Sequence, residues 1–65
     1  MLTVECIHVR ETSPDEIQVG KKYFMDETSM NSLEEGDWYA SIYDYETRKY
    51  LGRQAITQFK ALWKN

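Results

Sequence analysis

The chain has 65 residues, of which 42% are hydrophobic and 14% aromatic, and its formal net charge is −3. With three glycines and one proline, this composition is typical of one small folded domain spanning residues 1–65 and excludes a disordered chain. The single cysteine, Cys6, excludes an internal disulfide.

The start of the chain lacks the features of a secretory signal. It has no basic beginning and no apolar run, and Glu5 interrupts it early. No stretch approaches the roughly 18 consecutive apolar residues that a membrane helix needs. We therefore expect a soluble, cytoplasmic protein.

Charge is divided unevenly along the sequence. Residues 1–46 hold all eleven acidic residues and three basic ones, a balance of −8, whereas residues 47–65 hold five basic residues and no acidic one, a balance of +5. Such segregation indicates either an acidic or a basic binding face, or two segments that neutralise each other in the fold.

The first half of the chain predicts two strands. Residues 2–10, LTVECIHVR, are rich in β-branched residues and alternate in polarity, which predicts a strand. Ser-Pro-Asp at 13–15 predicts a loop, and Gly20 a tight turn before a second strand through Tyr23, Phe24 and Met25. Residues 28–37 are predicted to be a polar connection.

Residues 38–45, WYASIYDY, alternate cleanly. The pattern predicts a strand with Trp38, Ala40 and Ile42 facing the core. The opposite, outward face would carry Tyr39, Ser41, Tyr43 and Tyr45. A hairpin connection at 44–49 and a returning strand at 49–54 follow.

The C-terminal segment changes period. Ile56, Phe59 and then Leu62 or Trp63 recur at helical spacing. Two outcomes are open: one amphipathic helix over 54–64, or a helical turn at 54–59 followed by a closing strand at 60–63.

The order of these motifs resembles the Src-homology-3 family. The segment DEIQVGKKYFM stands where that family has its acidic segment, EEGDWYAS where it has its tryptophan motif, and KYLGRQAITQF where it has its last strand end and helical turn. The resemblance implies a mainly β fold. We expect a small five-stranded barrel with a short helical turn or helix near the C-terminus.

A second resemblance is to small barrel proteins encoded by phages and prophages of Gram-positive bacteria. It rests on Cys6-Ile7 at the end of the first strand and on Val19-Gly20-Lys21-Lys22-Tyr23. This resemblance implies a small inhibitor or adaptor that docks on a host protein.

Departures from the Src-homology-3 pattern argue against binding of proline-rich peptides. The tyrosine motif of the family's first strand is absent, and SIYDY at 41–45 lies on a different strand. The proline and tyrosine of the helical turn are missing, with Gly52, Arg53 and Gln54 in that stretch. Only Trp38 carries over from the family's groove.

The sequence offers no catalytic constellation. The paired carboxylates Asp15–Glu16, Asp26–Glu27 and Glu34–Glu35 lie in predicted loops or at strand ends, where solvated surface charge is the ordinary role. One cysteine and one histidine cannot by themselves build a zinc site, and no phosphate-binding glycine loop is present. We predict no enzyme, no metal and no cofactor.

Three binding hypotheses remain. Because tyrosine and tryptophan are favoured at interfaces, the first is protein binding, through Tyr39, Tyr43, Tyr45, Tyr50 and Trp63. The alternative is nucleic-acid binding by the basic segment, with aromatic stacking, through Arg48, Lys49, Arg53, Lys60 and Lys64. The sequence pI of about 5.0 counts against that alternative. The third hypothesis is self-association, through opposite charges or through strand 2–10 as a sheet edge.

Overall fold

The fold is a single antiparallel sheet, given by a computed structural model that describes residues 1–32 and 36–62. Five strands and one short 3₁₀ turn account for its regular structure. In chain order they are β1 (Leu2–Cys6), β2 (Lys22–Ser32), β3 (Trp38–Asp44), β4 (Tyr50–Ala55), the 3₁₀ turn (Ile56–Gln58) and β5 (Phe59–Ala61). The prediction of a mainly β, five-stranded fold is confirmed.

The strand order is β4-β3-β2-β1-β5, and every neighbouring pair is antiparallel. This order, with a helical turn before the last strand, is compatible with a Src-homology-3-like fold. Over the described residues, however, β4 and β5 are the two ends of the sheet and no ladder joins them. Closure of the predicted barrel is therefore not seen in the part of the chain that the structure describes.

One side of the sheet forms the core. The alternation of buried and exposed positions in β1, β2 and β3 sends every second side chain into it. The buried apolar side chains are Val4, Cys6, Ile17, Tyr23, Met25, Ala40, Ile42, Leu51, Ala55 and Phe59. The predicted inward face of β3 is confirmed for Ala40 and Ile42.

Trp38 does not join that core. Its side chain is 49% exposed, although it has the same strand parity as Ala40 and Ile42. Trp38 is the first residue of β3 and pairs with the exposed Ser32, so it lies at the end of the ladder beyond the buried layer. The prediction that Trp38 faces inward is wrong for this reason.

The first strand is shorter than the predicted 2–10. After Cys6 the backbone leaves the sheet, and the N–H groups of Ile7 and His8 both donate to the carbonyl of Gln58, at 2.7 and 3.3 Å. Ile7 and Val9 are consequently exposed. β1 is also internal, between β2 and β5, so it is not the edge strand that the self-association hypothesis needed.

The second strand is longer than predicted and takes in residues 28–32 of the predicted polar connection. Its pairing with β3 shifts register between Asp26 and Asn31. At the shift, Ser29 Oγ donates to the Asp26 carbonyl at 2.6 Å and accepts the Ser41 N–H at 2.8 Å. A polar sequence continues the strand because its side chains replace the missing ladder hydrogen bonds.

The C-terminal segment takes the second of the two predicted forms. A helical turn of three residues, Ile56–Gln58, follows Ala55 directly, and β5 pairs with β1 through Val4–Ala61 and Cys6–Phe59. The helical spacing of Ile56 and Phe59 thus marks one turn and the first residue of the last strand.

Candidate protein-binding face

Four aromatic side chains form a cluster on the side of the sheet opposite the core: Phe24, Tyr43, Tyr45 and Tyr50, here named the aromatic face. The strand register places Phe24 opposite Tyr43, and Tyr43 opposite Tyr50. Phe24, Tyr43 and Tyr50 each lie next to a buried residue of the same strand. These neighbours are Tyr23, Ile42 and Leu51, in that order. Strand alternation therefore turns the three rings outward as one row across β2, β3 and β4.

The rings contact one another directly. Phe24 and Tyr45 are stacked, with their centroids 5.0 Å apart and their planes at 28°. Tyr43 and Tyr50 are tilted at 49° with their centroids 5.3 Å apart. Tyr45 and Tyr50 remain 40% and 52% exposed, so the row keeps aromatic surface in contact with water.

The turn after β3 brings Tyr45 onto this row. Asp44 Oδ1 accepts the N–H groups of Glu46 and Thr47 at 2.8 and 2.9 Å, and the Asp44 carbonyl accepts the Arg48 N–H. The hydrogen bonds from the Thr47 and Glu46 N–H groups to the carboxylate lower the pKa of Asp44 to about 2, and the Lys21 side chain contributes through Nζ at 3.3 Å. The carboxylate that shapes the turn is therefore ionised at neutral pH.

Two cations lie over the stacked pair of rings. The Arg48 guanidinium carbon is 5.0 Å from the centroid of Phe24, and Lys22 Nζ is 5.8 Å from that of Tyr45. Both distances are within the range of cation–π attraction. A surface cavity of about 340 Å³ adjoins them, lined by Met1, Phe24, Tyr43 and Arg48.

The structure separates Tyr39 from the other predicted tyrosines. Its hydroxyl accepts a hydrogen bond from Arg10 Nη1 at 3.3 Å. Arg10 also forms an ion pair with Asp37 at 3.3 Å and donates to Thr57. Tyr39 thus belongs to a contact between the first loop and the start of β3. Trp63, the fifth predicted residue, lies outside the described residues.

The four described basic residues proposed for nucleic-acid binding have different surroundings. Arg48 lies on the aromatic face, and Lys49 forms an ion pair with Glu16 at 3.6 Å. Arg53 Nη2 donates to the carbonyls of Ser29 and Tyr39 and to Asn31 Oδ1. Lys60 lies on β5, at the other end of the sheet, and Lys64 lies outside the described residues.

Phe24 is the ring of the face that the sequence did not single out. The signal was present, because Tyr23, Phe24 and Met25 are consecutive in one strand and only two of three such residues can face the core. Which two could not be decided locally. The pairing of Phe24 with Tyr43 joins residues 19 positions apart and appears only in the folded sheet.

Cys6, the one cysteine of the chain, is part of the core. Cys6 is fully buried, burial raises the pKa of its thiol, and its Sγ donates to the His8 carbonyl at 3.2 Å. Within residues 1–32 and 36–62, no three His, Cys, Asp or Glu side chains lie close enough to share a metal ion. The same residues contain no helix with the length and apolar character of a membrane span.

Comparisons with family models, with curated proteins and with solved structures gave no match to this chain. The case for a function therefore rests on the geometry of the aromatic face.

Proposed function

We propose that the chain is a non-enzymatic protein-interaction module that docks on another protein through the aromatic face. The observation that carries the proposal is the row of Phe24, Tyr43 and Tyr50 across three strands, extended by Tyr45. A fold with this small a core places four rings on the side that the core does not need. Tyr45 and Tyr50 leave aromatic surface exposed to water, and a docked protein would cover it.

The composition of the face supports a protein partner. Tyrosine and arginine are among the residues that contribute most to binding at protein interfaces, because they offer rigid area together with a polar end. The face combines three tyrosines with Arg48, and the strands beneath hold the rings in place. Little conformational entropy would be lost on binding a surface that is already ordered.

The two sequence resemblances give the proposal a more specific form. We propose a relationship to the small Src-homology-3-like domains, and the strand order and the turn before β5 support it. The phage-type motifs Cys6-Ile7 and Val19 to Tyr23 support the role of a small inhibitor or adaptor of a host protein. The groove used for proline-rich peptides has no part in this proposal.

Site-specific photo-crosslinking tests the proposal. A photoreactive phenylalanine analogue replaces Tyr50 in one variant and Lys60 in another, and each is expressed in the source cells. We expect protein adducts of defined mass from position 50 and none from position 60, because Lys60 lies on β5 at the far end of the sheet.

Two alanine substitutions complete the design. Adding Tyr43→Ala to the position-50 variant should remove the adducts, because the Tyr43 and Tyr50 rings are in contact. Adding Tyr39→Ala should leave them, since that tyrosine contacts Arg10 instead. Adducts that survive Tyr43→Ala, or that form equally from position 60, would contradict the proposal.

A further inference from the structure

We propose that the aromatic face binds an acidic segment of its partner, in which a carboxylate follows or precedes an apolar side chain. This inference rests on the proposed function and adds the chemistry of the ligand. It is carried by the charge at the face, by the backbone conformation of Arg48 and by the shape of the adjoining cavity.

Arg48 and Lys22, the two cations over the rings, form no ion pair within the described residues. Three other basic side chains form ion pairs, Arg10 with Asp37, Lys21 with Asp44 and Lys49 with Glu16, at 3.3 to 3.6 Å. Among the described residues, neither Arg48 nor Lys22 has a carboxylate within 4.0 Å, and both cations lie over rings instead. Two cations of the aromatic face are therefore not neutralised by an ion pair within the described residues, although Asp44 and Glu46 lie in the same turn as Arg48.

The backbone at Arg48 is the second observation. Its φ is 64°, and it is the one residue other than glycine with positive φ in the described chain. This left-handed conformation costs an ordinary side chain energy and is the usual place for glycine or asparagine. The chain has arginine there, and the turn directs its guanidinium onto Phe24. A residue held in an unfavourable conformation at a surface is a candidate for function.

Arginine over a ring is suited to a carboxylate. The planar guanidinium stacks on the aromatic face while its N–H groups point outward within the plane, where a carboxylate can accept two of them. Lys22, over the neighbouring ring, adds a second positive charge on the same stack. Because the rings already hold both cations in place, binding a carboxylate would cost little further side-chain entropy of Arg48 and Lys22.

The cavity supplies the apolar half of the recognition. Its volume of about 340 Å³ is at the lower end of the range of small-ligand pockets, about 300–1,000 Å³. Met1, Phe24 and Tyr43 line it with apolar atoms, and Arg48 supplies its cation. An apolar side chain inserted there would place a neighbouring carboxylate beside the guanidinium.

A nucleic acid suits these observations less well than a peptide. A phosphate backbone needs several cations along its path. The aromatic face offers two cations, Arg48 and Lys22, which can hold a single carboxylate but do not extend along a phosphate backbone. Lys49 and Arg53, the next basic residues, are engaged with Glu16 and with backbone carbonyls.

Fluorescence anisotropy with three labelled probes tests the inference on the full chain. The probes are a short peptide with glutamates flanking a phenylalanine, the same peptide with glutamines, and oligo(dT). We expect the acidic peptide to bind about tenfold more tightly than its glutamine counterpart, equivalent to about 1.4 kcal/mol, and to weaken with added salt. NMR shift changes on binding should map to Phe24, Tyr43 and Arg48.

Variants at Arg48 separate binding from folding. Arg48→Gly should lower the affinity for the acidic peptide about tenfold or more. Its thermal midpoint should stay the same or rise, because glycine adopts positive φ freely. Arg48→Lys keeps the charge and loses the planar stack, so its loss should be smaller. Lys60→Ala, which removes a cation on β5, should change neither binding nor the midpoint.

The outcomes distinguish this inference from the proposed function. Equal binding of the glutamine peptide at the same rings, or full binding by Arg48→Gly, would overturn the acidic ligand and leave the docking face intact. Preferential binding of oligo(dT) at these rings would overturn both in favour of a nucleic-acid role. If no probe changes the NMR signals of the rings and the position-50 crosslinks are also absent, the face itself is not a binding site.

Discussion

Tyr23 shows how a single buried polar group holds the first loop, residues 7–21. Its side chain is fully buried, and its hydroxyl donates to the Glu16 carbonyl at 2.7 Å and accepts the Gln18 N–H at 2.8 Å. The ring also packs edge-on against Phe59 at 5.8 Å. One residue of β2 therefore ties a loop without strands of its own to the core.

Removing that hydroxyl should loosen the loop. Tyr23→Phe keeps the ring and leaves the Gln18 N–H and the Glu16 carbonyl without their partner, so we expect a loss of about 1–3 kcal/mol in unfolding free energy. Urea denaturation measures it, and amide exchange at Gln18 should accelerate. The matched control is Tyr50→Phe, whose ring is exposed and whose effect should stay within about 0.5 kcal/mol. Equal effects of the two substitutions would contradict this account.

Asp44 gives the fold a dependence on acid. Its pKa is lowered from 3.8 to about 2 by the N–H groups of Thr47 and Glu46 and by Lys21. Because the folded state holds the proton less tightly than the unfolded state, this stabilisation is complete above pH 4 or so and is lost as the pH falls toward about 2.

The variant Asp44→Asn isolates this effect. It keeps an oxygen that can accept the two N–H groups and removes the charge. The wild-type chain should have the higher thermal midpoint at neutral pH, and the difference should shrink progressively between about pH 4 and pH 2. Thermal melts followed by circular dichroism at a series of pH values measure it. A difference that does not change with pH would show that the charge of Asp44 is irrelevant.

At the scale of elements, the sequence predicted which strands exist better than where they end. Alternation located β1 and β3 because it reflects burial of one face, which is a local property. The turn at Gly20 and the hairpin connection located β2 and β4. β1 ends at Cys6 because Ile7 and His8 bond to Gln58, a residue about fifty positions away. Trp38 is exposed because the core ends before the ladder does. Neither the end of β1 nor the exposure of Trp38 can be predicted from local periodicity.

The register shift in β2 shows how polar residues extend a strand. Asp26 Oδ1 accepts from the N–H and hydroxyl of Thr28, and Ser29 links the Asp26 carbonyl to the N–H of Ser41 in β3. The segment from Thr28 to Ser32 was predicted as a connection because its residues are polar. In the fold, those same polar groups let β2 continue past the shift.

Ser29 carries this linkage across the two strands. Ser29→Ala leaves the Ser41 N–H without a partner, and we expect a loss of about 1–3 kcal/mol in unfolding free energy. In this variant, the rate of amide exchange at Ser41 should increase more than the rate in the centre of β3. Glu27→Ala, an exposed neighbour, is the control and should change stability by less than about 0.5 kcal/mol. Unchanged exchange at Ser41 in the serine variant would refute the role.

At the scale of the whole molecule, the aromatic face depends on pairing between distant segments. Tyr43, Tyr45 and Tyr50 are close in sequence, and the alternation of residues 38–45 together with the hairpin predicted them. Phe24, Lys22 and Met1 reach the face only through the ladders of β2 with β3 and of β1 with β2. Tyr39 was assigned to the same face by parity, but its hydroxyl bonds to Arg10 in the first loop.

The small core also sets how much change the face can accept. A chain of this length has a stability of roughly 3–10 kcal/mol on a per-residue basis. Ile42, fully buried at the centre of β3, lies directly beside Tyr43 in the strand. Substitutions that test the face therefore have to leave this position intact.

Substitutions at Ile42 test how much of the unfolding free energy depends on this buried position. Ile42→Val should cost about 0.5–1.5 kcal/mol and Ile42→Ala about 2–5 kcal/mol, because each removes buried methyl or methylene groups and leaves a cavity. The valine variant should unfold cooperatively at a lower urea concentration than the wild-type chain, and the alanine variant at a urea concentration that is lower still. Val19→Ala, at a residue 64% exposed, is the control and should leave the urea midpoint nearly unchanged. An alanine variant as stable as the valine variant would show that β3 does not form the centre of the core.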